Sequence, residues 1–143
     1  MKYISKSLIE TGEIAENFLG SLRSSSGATV VALSGDLGSG KTTFAQALGQ
    51  ALGVTESIQS PTFVIEKIYD IDFKNFRRLI HIDAYRLEGD KELLHLGWEE
   101  ITKEPENLIL IEWPENVRGI IPEDAKTIRF RFVDEHTREI SYD

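Results

Sequence analysis

Apolar positions along the chain change period several times, and each change marks an element. Residues 2–7 read as a short strand. From Thr11, read as a helix N-cap, Ile14, Phe18 and Leu22 recur four apart, with Glu13 and Glu16 on early turns where the helix dipole favours acids. Residues 23–27, Arg-Ser-Ser-Ser-Gly, end that element. Residues 29–33 are β-branched and apolar, as a buried strand requires, and a glycine-rich stretch separates them from Phe44, Leu48 and Leu52, one face of a helix that Gly53 stops. A β-rich run follows through Val64, Ile65, Ile68 and Tyr69. Leu79-Ile80-His81-Ile82-Asp83 and Leu108-Ile109-Leu110-Ile111-Glu112 are two apolar strands of the same form, each ending in a carboxylate. Between them, residues 91–96 predict a short helix carrying Leu93, Leu94 and Leu96, and Gly97-Trp98-Glu99-Glu100 continues an acidic segment. After Pro122 the pattern alternates, with Ile128, Phe130 and Phe132 on one face; residues 138–142 pair with that strand across Asp134-Glu135-His136-Thr137.

Strands alternating with helices, then a terminal hairpin, predict an α/β, P-loop NTPase-like three-layer fold. Its central sheet is expected to be mixed and mostly parallel, with an antiparallel C-terminal edge, in a single domain over residues 1–143. Because a strand and a helix precede residues 29–33, that strand is not expected to be the first of the sheet.

The glycine-rich stretch is Gly35-Asp36-Leu37-Gly38-Ser39-Gly40-Lys41-Thr42, followed by Thr43, and it fits G-x-x-x-x-G-K-[ST] between a strand and a helix. The three glycines permit positive φ and close backbone approach, so successive N–H groups can turn inward around an anion. Those donors and the positive end of the following helix favour a polyphosphate. Lys41 is a point charge within reach of the outer phosphates, and the Thr42 hydroxyl suits Mg2+.

Other candidates carry two readings each. Pro61 stiffens Ser60-Pro61-Thr62-Phe63, so Thr62 is either a switch threonine meeting Mg2+ and the γ-phosphate or part of a proline turn that starts a strand. A phosphate-loop enzyme needs a carboxylate near the metal and another to position water, and Asp83 and Glu112 stand at the strand ends where both belong. His81 and Asp83 share a face of a regular strand, as a metal pair or with His81 as a hydrogen-bonded structural residue. Arg86 either approaches the phosphates or bridges Glu88, and Trp113 either packs or stacks on a base.

Charge narrows the partners. The 143 residues carry 16 Lys+Arg against 24 Asp+Glu, a net charge of −8, so the surface as a whole repels DNA, RNA and anionic membrane. Lys74, Arg77 and Arg78 form a small basic patch or simply a solvated loop. Cysteine is absent, which removes disulfides and thiolate metal sites. Residues 1–7 lack an apolar signal core and no apolar run is long enough to span a bilayer, so a cytoplasmic protein is expected.

Taken together, the phosphate loop through Thr43 and Phe44, then Ser60-Pro61-Thr62-Phe63, His81-Ile82-Asp83-Ala84-Tyr85-Arg86-Leu87 and Ile111-Glu112-Trp113-Pro114-Glu115, in this order, resemble the TsaE (YjeE) family. The motifs span residues 35–115; Ser39 and Ala84 stand where other residues are common. The resemblance implies a weak, partner-dependent, Mg2+-dependent ATPase that binds ATP/ADP and acts with the TsaB–TsaD heterodimer in making threonylcarbamoyladenosine at position 37 of tRNA. The tRNA would be met only through that complex. It also implies Thr42 and Glu112 as Mg2+ ligands, Lys41 on the outer phosphates, and Thr62 and Asp83 as switch-like catalytic residues. Trp113 would lie near the nucleotide, and the segment from Leu8 to Thr11 near the adenine. Two rivals stand beside it: a small-molecule P-loop kinase, against which no arginine-rich lid segment follows the third helix, and a nucleotide-gated binding module with negligible turnover. A GTPase is disfavoured because Thr102-Lys103-Glu104-Pro105 ends in the wrong residue for a guanine motif.

Overall fold

In chain order the elements are β1 (Lys2–Ser5), α1 (Leu8–Ser21), β2 (Thr29–Ser34), α2 (Lys41–Ala51), β3 (Glu66–Phe73), β4 (Phe76–Asp83), α3 (Asp90–His95), α4 (Trp98–Lys103), β5 (Asn107–Glu112), an irregular 3₁₀ segment (Pro114–Ile120), β6 (Lys126–Asp134) and β7 (Thr137–Ser141). This computed structural model describes residues 1–23, 26–36, 38–55 and 66–142. Leu37 and the Ser60-Pro61-Thr62-Phe63 motif therefore lie outside the described residues.

Among the described residues the strands form a seven-stranded sheet in the order β1-β7-β6-β2-β5-β4-β3. Its centre, β6, β2, β5 and β4, is parallel. The C-terminal hairpin makes the expected antiparallel edge, β1 extends it, and β3 adds a second antiparallel edge against β4.

Alternate strand residues feed two cores. Val31, Leu33, Leu79, Leu108 and Leu110 pack with Ile14 and Phe18 of α1 and with Phe44 and Leu48 of α2. Val30, Ala32, Ile80, Ile82, Ile109 and Ile111 pack on the other face with Leu93, Trp98 and Val117. Covering both faces is what makes the central strands read as continuous apolar runs, and β5 is buried at every position. The acidic segment at 97–100 opens α4: Gly97 takes φ 85°, and Trp98 turns into the second core.

Helix α1 begins one turn earlier than the periodicity suggests. Ser7 is its N-cap, accepting from Glu10 N at 3.1 Å, while Glu10 Oε2 accepts from Lys6 N at 2.7 Å. Thr11 is therefore not the cap. It lies inside the helix, buried, and its hydroxyl pairs with Ser5 Oγ at 2.6 Å. The first turn escaped the pattern because Leu8 and Ile9 are 77% and 76% exposed, so no buried apolar position marks it.

The basic patch is used within the fold. Lys74, at φ 53° in the β3–β4 turn, donates to the carbonyls of Leu19, Gly20 and Leu22 at 3.2, 3.1 and 2.8 Å, capping the end of α1. Arg77 pairs with Asp72 at 3.1 Å, and Arg78 Nε donates to Asn107 Oδ1 at 2.8 Å. Among the described residues, no helix is long and apolar enough to cross a membrane.

Candidate functional site

Parallel strands in register deliver their C-terminal ends side by side, and that is what assembles this site. Leu33 of β2 pairs with Glu112 of β5, and Glu112 with Asp83 of β4, so the loop after β2 stands beside both strand-end acids. Gly35, Gly38 and Gly40 adopt φ 155°, 75° and 107°. A Cβ on Gly35 would meet Phe130 O at 2.6 Å and Ser39 Oγ at 2.8 Å, so the loop folds this tightly only around glycine. Gly40 opens α2 with no side-chain cap, leaving leading N–H groups of the helix without a side-chain acceptor there.

Lys41 is buried beneath the loop. Its ammonium donates to Gly35 O and sits 3.5 Å from the centroid of the Trp113 ring. Burial lowers its pKa from the ordinary 10.5, against the attraction of Glu112, Glu115, Asp83 and Asp36. Trp113 holds this position at φ 60°, a left-handed conformation rare outside glycine, and its ring lies 5.1 Å from that of Tyr85. Thr42 Oγ1 donates to Glu112 Oε1 at 3.5 Å. Asp83 Oδ1 accepts from Tyr85 N at 2.9 Å. Thr43 is half-buried one position along α2, and Asp36 is exposed at the mouth of the loop.

His81 is fully buried and pairs with Glu112 rather than Asp83, Nε2 to Oε2 at 2.6 Å. Trp113 packs against the second core while its ring faces Lys41. Arg86 is exposed. Leu8 and Thr11, expected near an adenine, are respectively exposed and buried against Ser5.

One neighbour escaped the sequence reading. A Cβ on Gly40 would meet Arg138 Cδ and Nε, each at 3.1 Å, so this β7 side chain lies against the loop. Strand order brings it there, and no local pattern announces strand order.

The residues present fit a magnesium nucleotide. Thr42 and Glu112 offer hydroxyl and carboxylate oxygens, hard donors of the kind Mg2+ takes. Ser39 Oγ is buried with no hydrogen-bond partner among the described residues, an orphaned polar atom in the loop that a ligand would satisfy.

Glu66 starts β3 opposite Ile82, beside the same end of the sheet. Its Oε1 is buried without a partner among the described residues, and burial raises its pKa above the ordinary 4.5. The folded chain therefore holds this proton more tightly than the unfolded one. The stability this provides is complete below the ordinary value and is lost as pH rises through the raised one. Glu66→Gln is expected to melt above wild type at neutral pH and level with it near pH ~4; thermal unfolding at the two pH values checks this.

Fold and loop together define a P-loop NTPase-like α/β domain. Residues 5–140 match the family profile described as "Threonylcarbamoyl adenosine biosynthesis protein TsaE". The chain belongs to the TsaE family. It is 41% identical over 95 residues to the tRNA threonylcarbamoyladenosine biosynthesis protein TsaE of Borreliella burgdorferi, covering 66% of this chain and 66% of that one. With its namesake in Bacillus subtilis it shares 34% over 113 residues, 79% of this chain and 68% of that one. The match thus spans about two thirds of the length of either relative. The namesake in Rickettsia typhi is 34% identical over 130 residues, 90% of this chain and 85% of that one. A crystal structure of Bacillus subtilis YdiB superposes with a TM-score of 0.78 at 27% identity, covering 99% of this chain and 83% of that one.

Proposed function

We propose that residues 1–143 form one Mg2+-dependent ATPase domain that serves the machinery making threonylcarbamoyladenosine at position 37 of tRNA, in the cytoplasm and together with a TsaB–TsaD pair. The observation that carries it is the meeting of Thr42 and Glu112 at the loop, in a chain whose family match runs through the whole site.

In this reading Gly35 to Thr43 wrap the β- and γ-phosphates with backbone N–H groups, and Lys41 leaves Gly35 O to reach the outer phosphates. Thr42 and Glu112 would hold Mg2+, which supplies charge neutralisation on the phosphate oxygens. Asp83 orients the attacking water, with Thr62 as its switch partner. Arg138, lying against Gly40, adds a guanidinium at the rim of the loop. Trp113 and Leu8 to Thr11 border the nucleotide. The net charge of −8 supports a protein complex, rather than direct tRNA contact, as the partner.

Phosphate release from Mg2+-ATP, measured alone and with the TsaB–TsaD pair, tests the reading. Slow release alone and faster release with the pair is the expected result. Equal, negligible release in both arms would leave a nucleotide-gated binding module, and phosphate transfer to a metabolite in a parallel screen would leave a small-molecule kinase.

A further inference from the structure

His81 takes no part in the scheme above, yet it is fully buried at the centre of the site. On β4 it stands opposite Leu110, two residues before Glu112 on the neighbouring parallel strand, so His81, Asp83 and Glu112 rise from the same face of the sheet. That is the face on which Leu79, Leu108 and Leu110 pack against α2, the helix that carries Thr42.

Two observations separate His81 from an ordinary core residue. Its Nε2 lies 2.6 Å from Glu112 Oε2, while Nδ1 is buried with no hydrogen-bond partner among the described residues. An apolar side chain at 81 would avoid leaving that nitrogen bare, so packing alone does not account for an imidazole here. The hydrogen bond also has a geometric effect. With Oε2 accepting from Nε2–H, the carboxylate cannot swing about its last torsion, and the other oxygen, Oε1, is the one left 3.5 Å from Thr42 Oγ1.

We propose that His81 is a positioning residue: its hydrogen bond to Oε2 holds the Glu112 carboxylate so that Oε1 is turned toward Thr42 as a ligand for a divalent cation. The proposal rests on the reading of Thr42 and Glu112 as the magnesium ligands. Ligating groups are commonly oriented in this way by a partner behind them, and loss of such a partner weakens metal affinity by roughly 10–100-fold.

The test is calorimetric titration of the full chain with ADP, in Mg2+ and in EDTA. Wild type is expected to bind more tightly with Mg2+. His81→Leu should lose most of that advantage, about tenfold or more, while its affinity in EDTA stays at the wild-type level. His81→Gln, whose amide nitrogen reaches the place of Nε2 and can donate to Glu112, should recover it. If His81→Leu does not fold, His81→Asn carries the test, since its amide stays polar but ends short of Glu112. Retention of the wild-type Mg2+ advantage in His81→Leu overturns the proposal, as does an equal loss in Mg2+ and EDTA that His81→Gln does not relieve. A wild-type protein that binds no ADP removes the nucleotide reading and this proposal together. A wild type that binds with a variant that keeps its Mg2+ response removes the proposal alone.

Discussion

Lys41→Ala is expected to abolish ATP binding and leave the fold intact. The ammonium is the buried cation at the phosphate loop, and a hydrogen bond to a charged group contributes about 1.5–3 kcal/mol. Losing contacts to two phosphates therefore weakens binding by on the order of a hundredfold or more. The fold should survive because α2 is anchored elsewhere: Phe44, Ala45 and Leu48 are in the first core, while the Lys41 ammonium meets Gly35 O and the Trp113 ring outside it. Calorimetry with ATP, alongside circular dichroism, makes the measurement. Unchanged affinity in a folded variant would remove the central claim.

The second large effect is expected at Glu112. If Glu112 holds the cation as proposed, Glu112→Ala should lose Mg2+-dependent phosphate release by about a hundredfold or more, because a charge that would meet the phosphate-bound cation is gone, while ADP binding in EDTA stays close to wild type. The same change strips His81 of its buried partner, so a lower melting temperature is expected as well. Glu112→Gln separates the two effects. Its amide oxygen can still accept from His81, so stability should return while hydrolysis does not. Wild-type turnover in either variant refutes the metal role.

How much of this was legible in the chain differs by level. The phosphate-loop motif was legible because it is contiguous, its glycines, Lys41 and Thr42 all lying between Gly35 and Thr42, whereas Phe130 and Arg138, which lie against Gly35 and Gly40, come from strands far along the chain. The strand-end acids were legible because parallel strands place their C-terminal ends together, and β4 and β5 each end in a carboxylate. Strand order was not. Nothing in the β6–β7 pattern says that Arg138 will reach Gly40, and nothing in β3 says that it closes the far edge of the sheet. The start of α1 falls one turn before the Thr11 cap that the periodicity suggests, because the burial pattern that marks a helix is silent over an exposed first turn and nothing in it points to Ser7. Lys74 was read as a surface charge because its partners, the final carbonyls of α1, stand more than fifty residues away in the chain. His81 was visible as a residue worth attention, but its choice of Glu112 over Asp83 depends on the register between β4 and β5.

The place of the Lys41 ammonium between a backbone carbonyl and the indole of Trp113 has a consequence for any affinity measured at this loop. On the proposed reading, nucleotide binding would be an exchange in which the cation gives up one set of electron-rich partners for another, and the observed constant would report the difference between them. Trp113 would then set the zero of that scale: a smaller side chain at 113 would lift the resting state of the lysine and make the proposed phosphate contacts count for more.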